Sequence, residues 1–470
     1  MEKSTPASQE FQRVLDAKLV LAVLATGIMS FCGVVVETAM NVAFPSLMEE
    51  FSVDTATVQW MTTGYLVVLA IVIPTSAYLK QTFKTKNLFL SALTMFVIGI
   101  LVCAFAPSFS ILLLGRIIQG VGTGIALPLM FNIIIDQAPF ENMGMMMGLG
   151  TLVTALAPAV GPSLGGVIIE SWGWRAVFIS LLPVLLASFI MGATSIRQSA
   201  KLTKSKFDLT GFGLLAVFVV TIIVALSEGS AHMALTTKVV ANLVVAIVSG
   251  AMFVKHAKST DNPLIDLSVF DSRTYKLAII VLILLQAVIL ALGYLMPNYA
   301  QLVVGAGPAK SGSVMLPGCL LGAFLAPISG RILDRFGAKK PLVIGNICCV
   351  LSMFLMYTNG FSLTIGMLTG FYAIMTLGSG LTMGNTMTYS LDGLDNSLKA
   401  AGNATINTSQ QLAGAIGTAL VTGIVNASQA AGSGSLSQTT CVGCVSSFAF
   451  LLFFAVCMLI CTLLIFKKQK

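Results

Sequence analysis

Charge is scarce in this chain. Only 9% of its 470 residues are Asp, Glu, Lys or Arg, against about 25% in soluble domains. That excludes an ordinary water-soluble globular protein. Histidine is scarcer still. The two residues, His232 and His256, are both expected in connecting loops, so no histidine relay or metal site is in view. No Gly-rich phosphate-cradling loop is visible, which argues against direct ATP drive. No Ser/His/Asp arrangement or ligand cluster is visible at an interface, so a membrane enzyme or receptor lacks its chemistry. No cofactor is implied. What is abundant is apolar: 56% of residues are hydrophobic, with a mean hydropathy of +0.94. The chain reads as a polytopic membrane protein embedded in a lipid bilayer.

The net charge of +8 does not imply a nucleic-acid partner. The bases sit in short clusters between apolar runs rather than on one face or arm. Seven of the nine cysteines (Cys32, Cys103, Cys319, Cys348, Cys349, Cys457 and Cys461) fall in those runs and read as small hydrophobes. Cys441 and Cys444 form a lone C-x-x-C, expected in a loop, and one such pair is weak evidence for a metal site or a disulfide. Residues 1–17 are polar and mixed in charge. They do not resemble a signal peptide, because the apolar run that follows is too long for one.

About fourteen mostly apolar runs are long enough to cross a bilayer. They lie near 18–44, 56–79, 87–106, 109–136, 144–169, 175–195, 208–228, 238–255, 276–298, 311–332, 340–358, 361–388, 402–426 and 445–466. Lysine and arginine concentrate in alternate connections, such as Lys80, Lys84 and Lys86, or Arg331, Arg335, Lys339 and Lys340. The other side holds only Arg175, Lys238 and Lys310. This asymmetry predicts that both termini are cytoplasmic. Pro74–Phe83 and Pro327–Phe336 line up as an internal repeat, the usual build of a secondary transporter. The division expected is a cytoplasmic segment 1–17, a six-helix bundle 18–200, two extra transmembrane helices 201–260, and a second six-helix bundle with a short tail 261–470. Asp208 is expected to cap the first extra helix.

One residue in the first run is out of place. Glu37 is an acid among Val, Leu, Ala, Ile, Met and Phe, and an ionised carboxylate in hydrocarbon costs several kcal/mol. Thr26, Ser30, Gly33, Glu37 and Asn41 recur at steps of three and four, so they share one helical face. That face would see protein or water and the opposite face lipid. The plainer reading is a helix–helix hydrogen bond that only stabilises packing. Arg116 is equally anomalous, because a guanidinium does not deprotonate in a membrane and must be paired or wet. Its plainer reading is a contact with backbone carbonyls of the first run.

Four motifs carry a resemblance. Val-Glu37-Thr-Ala-Met-Asn41-Val-Ala-Phe-Pro45, Leu114-Gly-Arg116-Ile-Ile-Gln119-Gly120-Val-Gly122-Thr-Gly124, Ala157-Pro158-Ala-Val-Gly161-Pro162-Ser-Leu-Gly165-Gly166, and Gly330-Arg331-Ile-Leu-Asp334-Arg335-Phe336-Gly337 stand in order along the chain. Together they resemble the fourteen-span drug:proton antiporter branch of the major facilitator superfamily, over nearly the whole length. The family usually has Asp where Glu37 stands. The resemblance implies an all-α integral membrane protein of the major facilitator fold, two six-helix bundles plus two central helices. It implies proton coupling through Glu37 and Arg116. It also implies conformational roles for the fifth-span residues Pro158, Gly161, Pro162, Gly165 and Gly166 and for the loop residues Gly330, Asp334, Arg335 and Gly337. One departure stands out. The first-half copy of the loop has Gln81, Thr82 and Lys84 where the family has Asp, Arg and Gly, which places any cytoplasmic charge latch in the second half, at Asp334. Trp172-Gly-Trp174-Arg175 reads as an interfacial anchor.

Glu37 and Arg116 each lie about seven residues from the outer end of their span, roughly 10 Å deep, so they can meet if the first and fourth spans are neighbours. A Glu37 held tightly by Arg116 would stay ionised and carry no proton. One that changes partner between states could exchange protons. Candidate substrate-cavity residues are Thr26, Ser30, Gly33, Glu37 and Asn41 in the first span, with Gln286, Asn385, Asn407 and Gln410 in the second half. Each of the last four is also readable as an interhelical hydrogen bond. The 23 methionines suit a pocket that re-packs around varied shapes, although Met145, Met146 and Met147 are equally readable as facing lipid. The function expected is export of lipophilic, often cationic, small-molecule drugs in exchange for protons, across the plasma membrane and as a monomer. The same fold exporting an endogenous metabolite, peptide or siderophore is the alternative.

Overall fold

In the computed structural model the described residues are 15–139, 143–198, 202, 206–232, 236–260, 263–395, 398–432 and 434–467. The side chains of some residues inside helices, Asp334 among them, lie outside the description.

The described chain is all-helical. The helices are α1 Ala17–Ala39, α2 Phe44–Phe51, α3 Thr55–Val72, α4 Ser76–Thr82, α5 Thr85–Ala104, α6 Phe109–Gln137, α7 Met143–Trp172, α8 Trp174–Ser180, α9 Leu182–Ser195, α10 Leu209–His232, α11 Thr237–Ser259, α12 Arg273–Asn298, α13 Pro308–Ser313, α14 Leu316–Phe336, α15 Lys339–Thr358, α16 Ile365–Asp392, α17 Lys399–Ala431 and α18 Leu436–Ile465. Short polar side chains start several of them. Asp16 accepts from the Leu19 N–H at 2.9 Å to cap α1, and Asp54 accepts from the Thr57 N–H at 2.7 Å to cap α3. The Gly211 N–H donates to Asp208 at 2.8 Å, the cap expected for α10. Some prolines are tolerated inside long helices, as at Pro128 in α6 and Pro158 and Pro162 in α7.

Among the described residues, 12 helical segments are long and apolar enough to cross a membrane. The fourteen expected segments are not all in that set. The two missing from it, near 144–169 and 311–332, coincide with α7, 30 residues long, and α14, 21 residues long and bearing Arg331, Asp334 and Arg335. The apolar side chains left at the surface, such as Leu186, Ile190, Ile247 and Phe453, are what a lipid solvent requires.

Three helices meet around Glu37 and Arg116. α1 packs against α6, α7 and α9, and α6 also packs against α3 and α5. Later in the chain, α12 packs against α17 and α18. α17 touches α3, and α10 rests on both α17 and α3. α7 carries α13 and part of α14 on its other side.

Four local expectations change. Cys441 and Cys444 lie in the first turns of α18, because Ser435 and Gln438 form a capping box that starts the helix earlier. His256 lies in the last turn of α11 and bonds Asp208 at 2.7 Å, tying the end of α11 to the start of α10. Met146 is buried rather than lipid-facing, and the side chains of Met145 and Met147 lie outside the described residues. Trp174 is buried too, because its ring N–H donates to Glu50 at 2.6 Å, leaving Trp172 as the exposed ring.

Candidate functional site

The polar face of α1 is real but mostly self-satisfied. Thr26 donates to the Ala22 carbonyl and Ser30 to the Thr26 carbonyl, each at 2.9 Å, and both side chains are fully buried. They line no opening here, because their hydroxyls return to their own helix. Just past the helix end, Asn41 accepts from the Thr62 hydroxyl at 3.0 Å, joining α1 to α3. Gly33 faces α6 and α3. A Cβ there would stand 2.6 Å from Thr123 Cγ2 and 3.1 Å from the Tyr65 hydroxyl. Tyr65 uses that gap to donate to the Gly33 carbonyl at 3.2 Å.

Arg116 is fully buried in α6. Its Nε donates to the Met61 carbonyl at 3.2 Å and its Nη1 to Gln119 Oε1 at 2.6 Å. The guanidinium lies 4.2 Å over the Tyr65 ring, a contact worth about 2 kcal/mol when desolvated. Among the described residues, one guanidinium nitrogen, Nη2, and the Gln119 amide nitrogen have no hydrogen-bond partner. Both are buried donors in a region where such a vacancy is costly.

Glu37 is 5% exposed. Among the described residues no hydrogen bond or ion pair reaches its carboxylate. The two charges are near enough to act on one another, yet they do not pair. The reason is local. The guanidinium is held to α3 and α6 by Met61 and Gln119 and rests on the Tyr65 ring, whose hydroxyl in turn bonds the Gly33 carbonyl of α1.

The second-half candidates are not joined to these charges by any described hydrogen bond. Asn385 donates to Ser329 and to the Leu381 carbonyl, each at 2.9 Å, and so links α16 to α14. Asn407 donates to the Asn403 carbonyl at 2.9 Å within α17. Gln286 is half-buried on α12. Gln410 is buried with its amide nitrogen unpartnered.

The fifth-span motif has a physical use. A Cβ on Gly161 would lie 2.0 Å from Thr38 Oγ1 and one on Gly165 2.5 Å from the Ala39 Cβ, so α7 lies directly against the end of α1. On its other side, a Cβ on Gly166 would meet the Pro308 carbonyl at 2.4 Å, and one on Gly312 the Pro162 carbonyl at 1.9 Å. Ser163 donates to the Gly312 carbonyl at 3.2 Å, and the Ala309 N–H donates to Glu170 at 2.8 Å. Gln301 donates to the Val42 carbonyl at 3.1 Å, and Thr55 to Gln429 at 2.8 Å. All of these join early helices to late ones at the end of the bundle away from Asp16 and Phe466.

At the near end, Gly337 closes α14 with φ +73°, a backbone that favours glycine. Arg335 lies 5.4 Å and Lys340 5.6 Å from the Phe336 ring centre. A Cβ on Gly330 would meet nothing. The Asp334 side chain lies outside the described residues. The first-half loop carries a charge contact after all. Lys80 meets Asp136 at 2.8 Å, joining α4 to the end of α6 although Gln81, Thr82 and Lys84 depart from the family's pattern.

Two members of the cluster, Tyr65 and Gln119, were not singled out as site residues in the sequence. Gln119 was legible as the neighbour of Arg116 one turn on. Tyr65 had only its polar ring in an apolar helix as a signal.

Comparison with known proteins places this geometry. The family model of the Major Facilitator Superfamily matches residues 26–418. The lincomycin resistance protein LmrB of Listeria innocua is 32% identical over 466 residues, covering 97% of this chain and 98% of the relative. A multidrug resistance protein B homolog of Mycobacterium tuberculosis is 31% identical over 392 residues, covering 82% of this chain and 72% of the relative. Among solved structures, a bacterial homolog of the human lysosomal transporter Spinster, inward-facing and unoccupied, matches with a TM-score of 0.67 at 15% identity. That match covers 97% of this chain and 100% of the other. The peptide transporter POT in complex with sulfate matches with a TM-score of 0.69 at 14% identity, covering 94% of each. These two likenesses speak to the fold.

Proposed function

The chain belongs to the Major Facilitator Superfamily, and from that footing we propose that it exports lipophilic, often cationic, small molecules in exchange for protons. It is a multi-pass membrane transporter, not an enzyme. The observation that carries the proposal is Glu37, a buried carboxylate with no partner among the described residues, and Arg116, a buried guanidinium that is already engaged. Such an acid can hold a proton or a cation but not both, so the two compete and are exchanged. Relatives named for lincomycin and multidrug resistance support a drug-like cargo.

In this reading the chain spans the plasma membrane fourteen times as a monomer, with α7 and α14 as spans and both termini cytoplasmic. Residues 18–200 and 261–470 are two six-helix bundles, and the helices within 201–260 cover the groove between them. The closed end at α7 and α13 then faces outside, and at the cytoplasmic side Glu37 gives up its proton as substrate enters, to be reprotonated from outside once the substrate has left. The motif residues Pro158, Gly161, Pro162, Gly165 and Gly166 grip α1 and α13 in the outward-closed state. Gly330, Asp334, Arg335 and Gly337 shape the opposite end. Gln286, Asn385, Asn407 and Gln410 face the cargo when the bundles part.

The test is efflux of a cationic dye from proteoliposomes under an imposed pH gradient, with proton release on substrate addition to purified protein as the companion measurement. Wild type should show both. Glu37→Gln should lose gradient-driven efflux and proton release while still binding substrate. Undiminished gradient-driven efflux by Glu37→Gln would sink the proposed role of Glu37.

A further inference from the structure

We infer that Tyr65 is a positioning residue that keeps Arg116 away from Glu37, and so keeps Glu37 free to exchange a proton. This rests on the export reading above. The observation is the arrangement of three groups. The Tyr65 ring lies under the guanidinium, with 4.2 Å between the guanidinium carbon and the ring centre. Its hydroxyl donates to the Gly33 carbonyl at 3.2 Å. In a regular α-helix that carbonyl also receives the N–H four residues on, which here belongs to Glu37. Tyr65 therefore touches both the cation and the helical turn that carries the anion.

Two vacancies give the arrangement its consequence. Arg116 keeps one buried nitrogen without a partner, and Glu37 is likewise unpartnered. Opposite charges left unpaired in a dry interior attract strongly, so something must hold them apart. The charged or titratable groups acting on this cluster are Glu37, Tyr65, Cys103 and Arg116, and Tyr65 is the one that contacts both the guanidinium and α1. Its ring gives the guanidinium a face to rest on, and its hydroxyl pins that ring to the turn of α1 that carries Glu37. Without the ring, Arg116 keeps a nitrogen to spare and has a clear route to Glu37. The pair that forms keeps Glu37 ionised through the cycle, and proton exchange stops while substrate passage does not.

The variants are Tyr65→Phe, which keeps the ring and loses the hydroxyl, and Tyr65→Leu, which loses both. Tyr65→Met is the substitute should Tyr65→Leu fail to insert. Each is reconstituted and measured in two modes: efflux driven by a pH gradient, and exchange of labelled for unlabelled dye at equal pH. Tyr65→Leu should keep exchange near the wild-type rate and lose gradient-driven efflux by about tenfold or more, within the range typical of site-to-site coupling. Tyr65→Phe should keep both. An infrared difference spectrum should show a protonated-carboxyl band in wild type that is absent from Glu37→Gln and from Tyr65→Leu. Gradient-driven efflux by Tyr65→Leu at the wild-type rate overturns the inference, as does equal loss of both modes. A wild type without gradient-driven efflux overturns the export reading and this inference with it.

Discussion

Replacing Gly312 with alanine should force α13 and α7 apart. The new Cβ would stand 1.9 Å from the Pro162 carbonyl oxygen and 2.7 Å from its carbon. Both are backbone atoms, so no side chain can rotate out of the way. Ordinary contact begins at 3.4 Å, and the two backbones must therefore separate by about 1.5 Å. Overpacking of this kind costs about 1–3 kcal/mol. The three nearest atoms all belong to Pro162 and Ser163 of α7, so the cost of that contact falls on the arrangement in which α13 lies against α7. A differential of that size shifts a two-state equilibrium by about 5- to 150-fold. Spin labels at Trp172→Cys and Lys310→Cys, in a background cleared of the nine native cysteines, report the separation by double electron–electron resonance. Gly312→Ala should move the distribution toward the longer distance. Gly370→Ala is the control, because a Cβ there meets nothing within 4 Å. An unchanged distribution in a folded Gly312→Ala protein would refute the contact, and with it the closed seam.

Two further predictions follow from the same coordinates. Gly33→Ala places a Cβ 2.6 Å from Thr123 Cγ2 and should lower thermal stability by about 1–3 kcal/mol; Thr123→Ala should restore part of it, and strict additivity of the two in a double-mutant cycle would refute the contact. Glu50 gives a pH dependence. Partial burial raises its carboxyl, but hydrogen bonds from Trp174 and Arg175 outweigh that and hold it below its usual 4.5. A carboxyl depressed in the folded state contributes stability that is full above its unfolded value and is lost as pH falls through the folded one. The thermal midpoint of wild type should therefore exceed that of Glu50→Gln at pH 7, and the advantage should vanish as the pH is lowered well below 4.5. An advantage undiminished at acid pH would show that charge on Glu50 is irrelevant.

What could be read from the sequence divides along a physical line. Properties that depend on one helix were legible. Apolar length located 12 of the fourteen expected spans as membrane-capable helices, and the spacing of Thr26, Ser30, Gly33 and Glu37 put them in the buried part of one helix, with Asn41 buried in the turn just past its end. Properties that depend on which helices touch were not. The sequence suggested that Arg116 and Glu37 could meet, because both charges are anomalous at similar depth. It held no sign that the Met61 carbonyl on α3 would take the guanidinium's Nε–H. Trp174 misled in the same way. A tryptophan near a span end suggests an interface anchor, and only the approach of Glu50 from a different helix explains its burial. The small-residue stripe at Gly161, Gly165 and Gly166 predicted close approach but not its partners. Those are α1 for the first two and α13 for the third.

The position of α1 gives the charge site a route to the seam. Glu37 sits next to Thr38 and Ala39, the two residues against which Gly161 and Gly165 of α7 are packed. α7 in turn carries Pro162, Ser163 and Glu170, which meet Gly312 and Ala309 across the seam. A change at Glu37 that tilts or turns the end of α1 therefore acts at once on the helix that closes the far end. Protonation can bias that closure only if Glu37 is solvated differently in the two states, since a ligand with equal affinity for both shifts neither. An unpartnered carboxylate in the closed state meets that condition. A second state in which water or Arg116 reached Glu37 would surround the carboxylate differently, as such a bias requires. Tyr65 belongs to the same logic, because a permanent Glu37–Arg116 pair would be the same in both states and would leave the proton nothing to choose between.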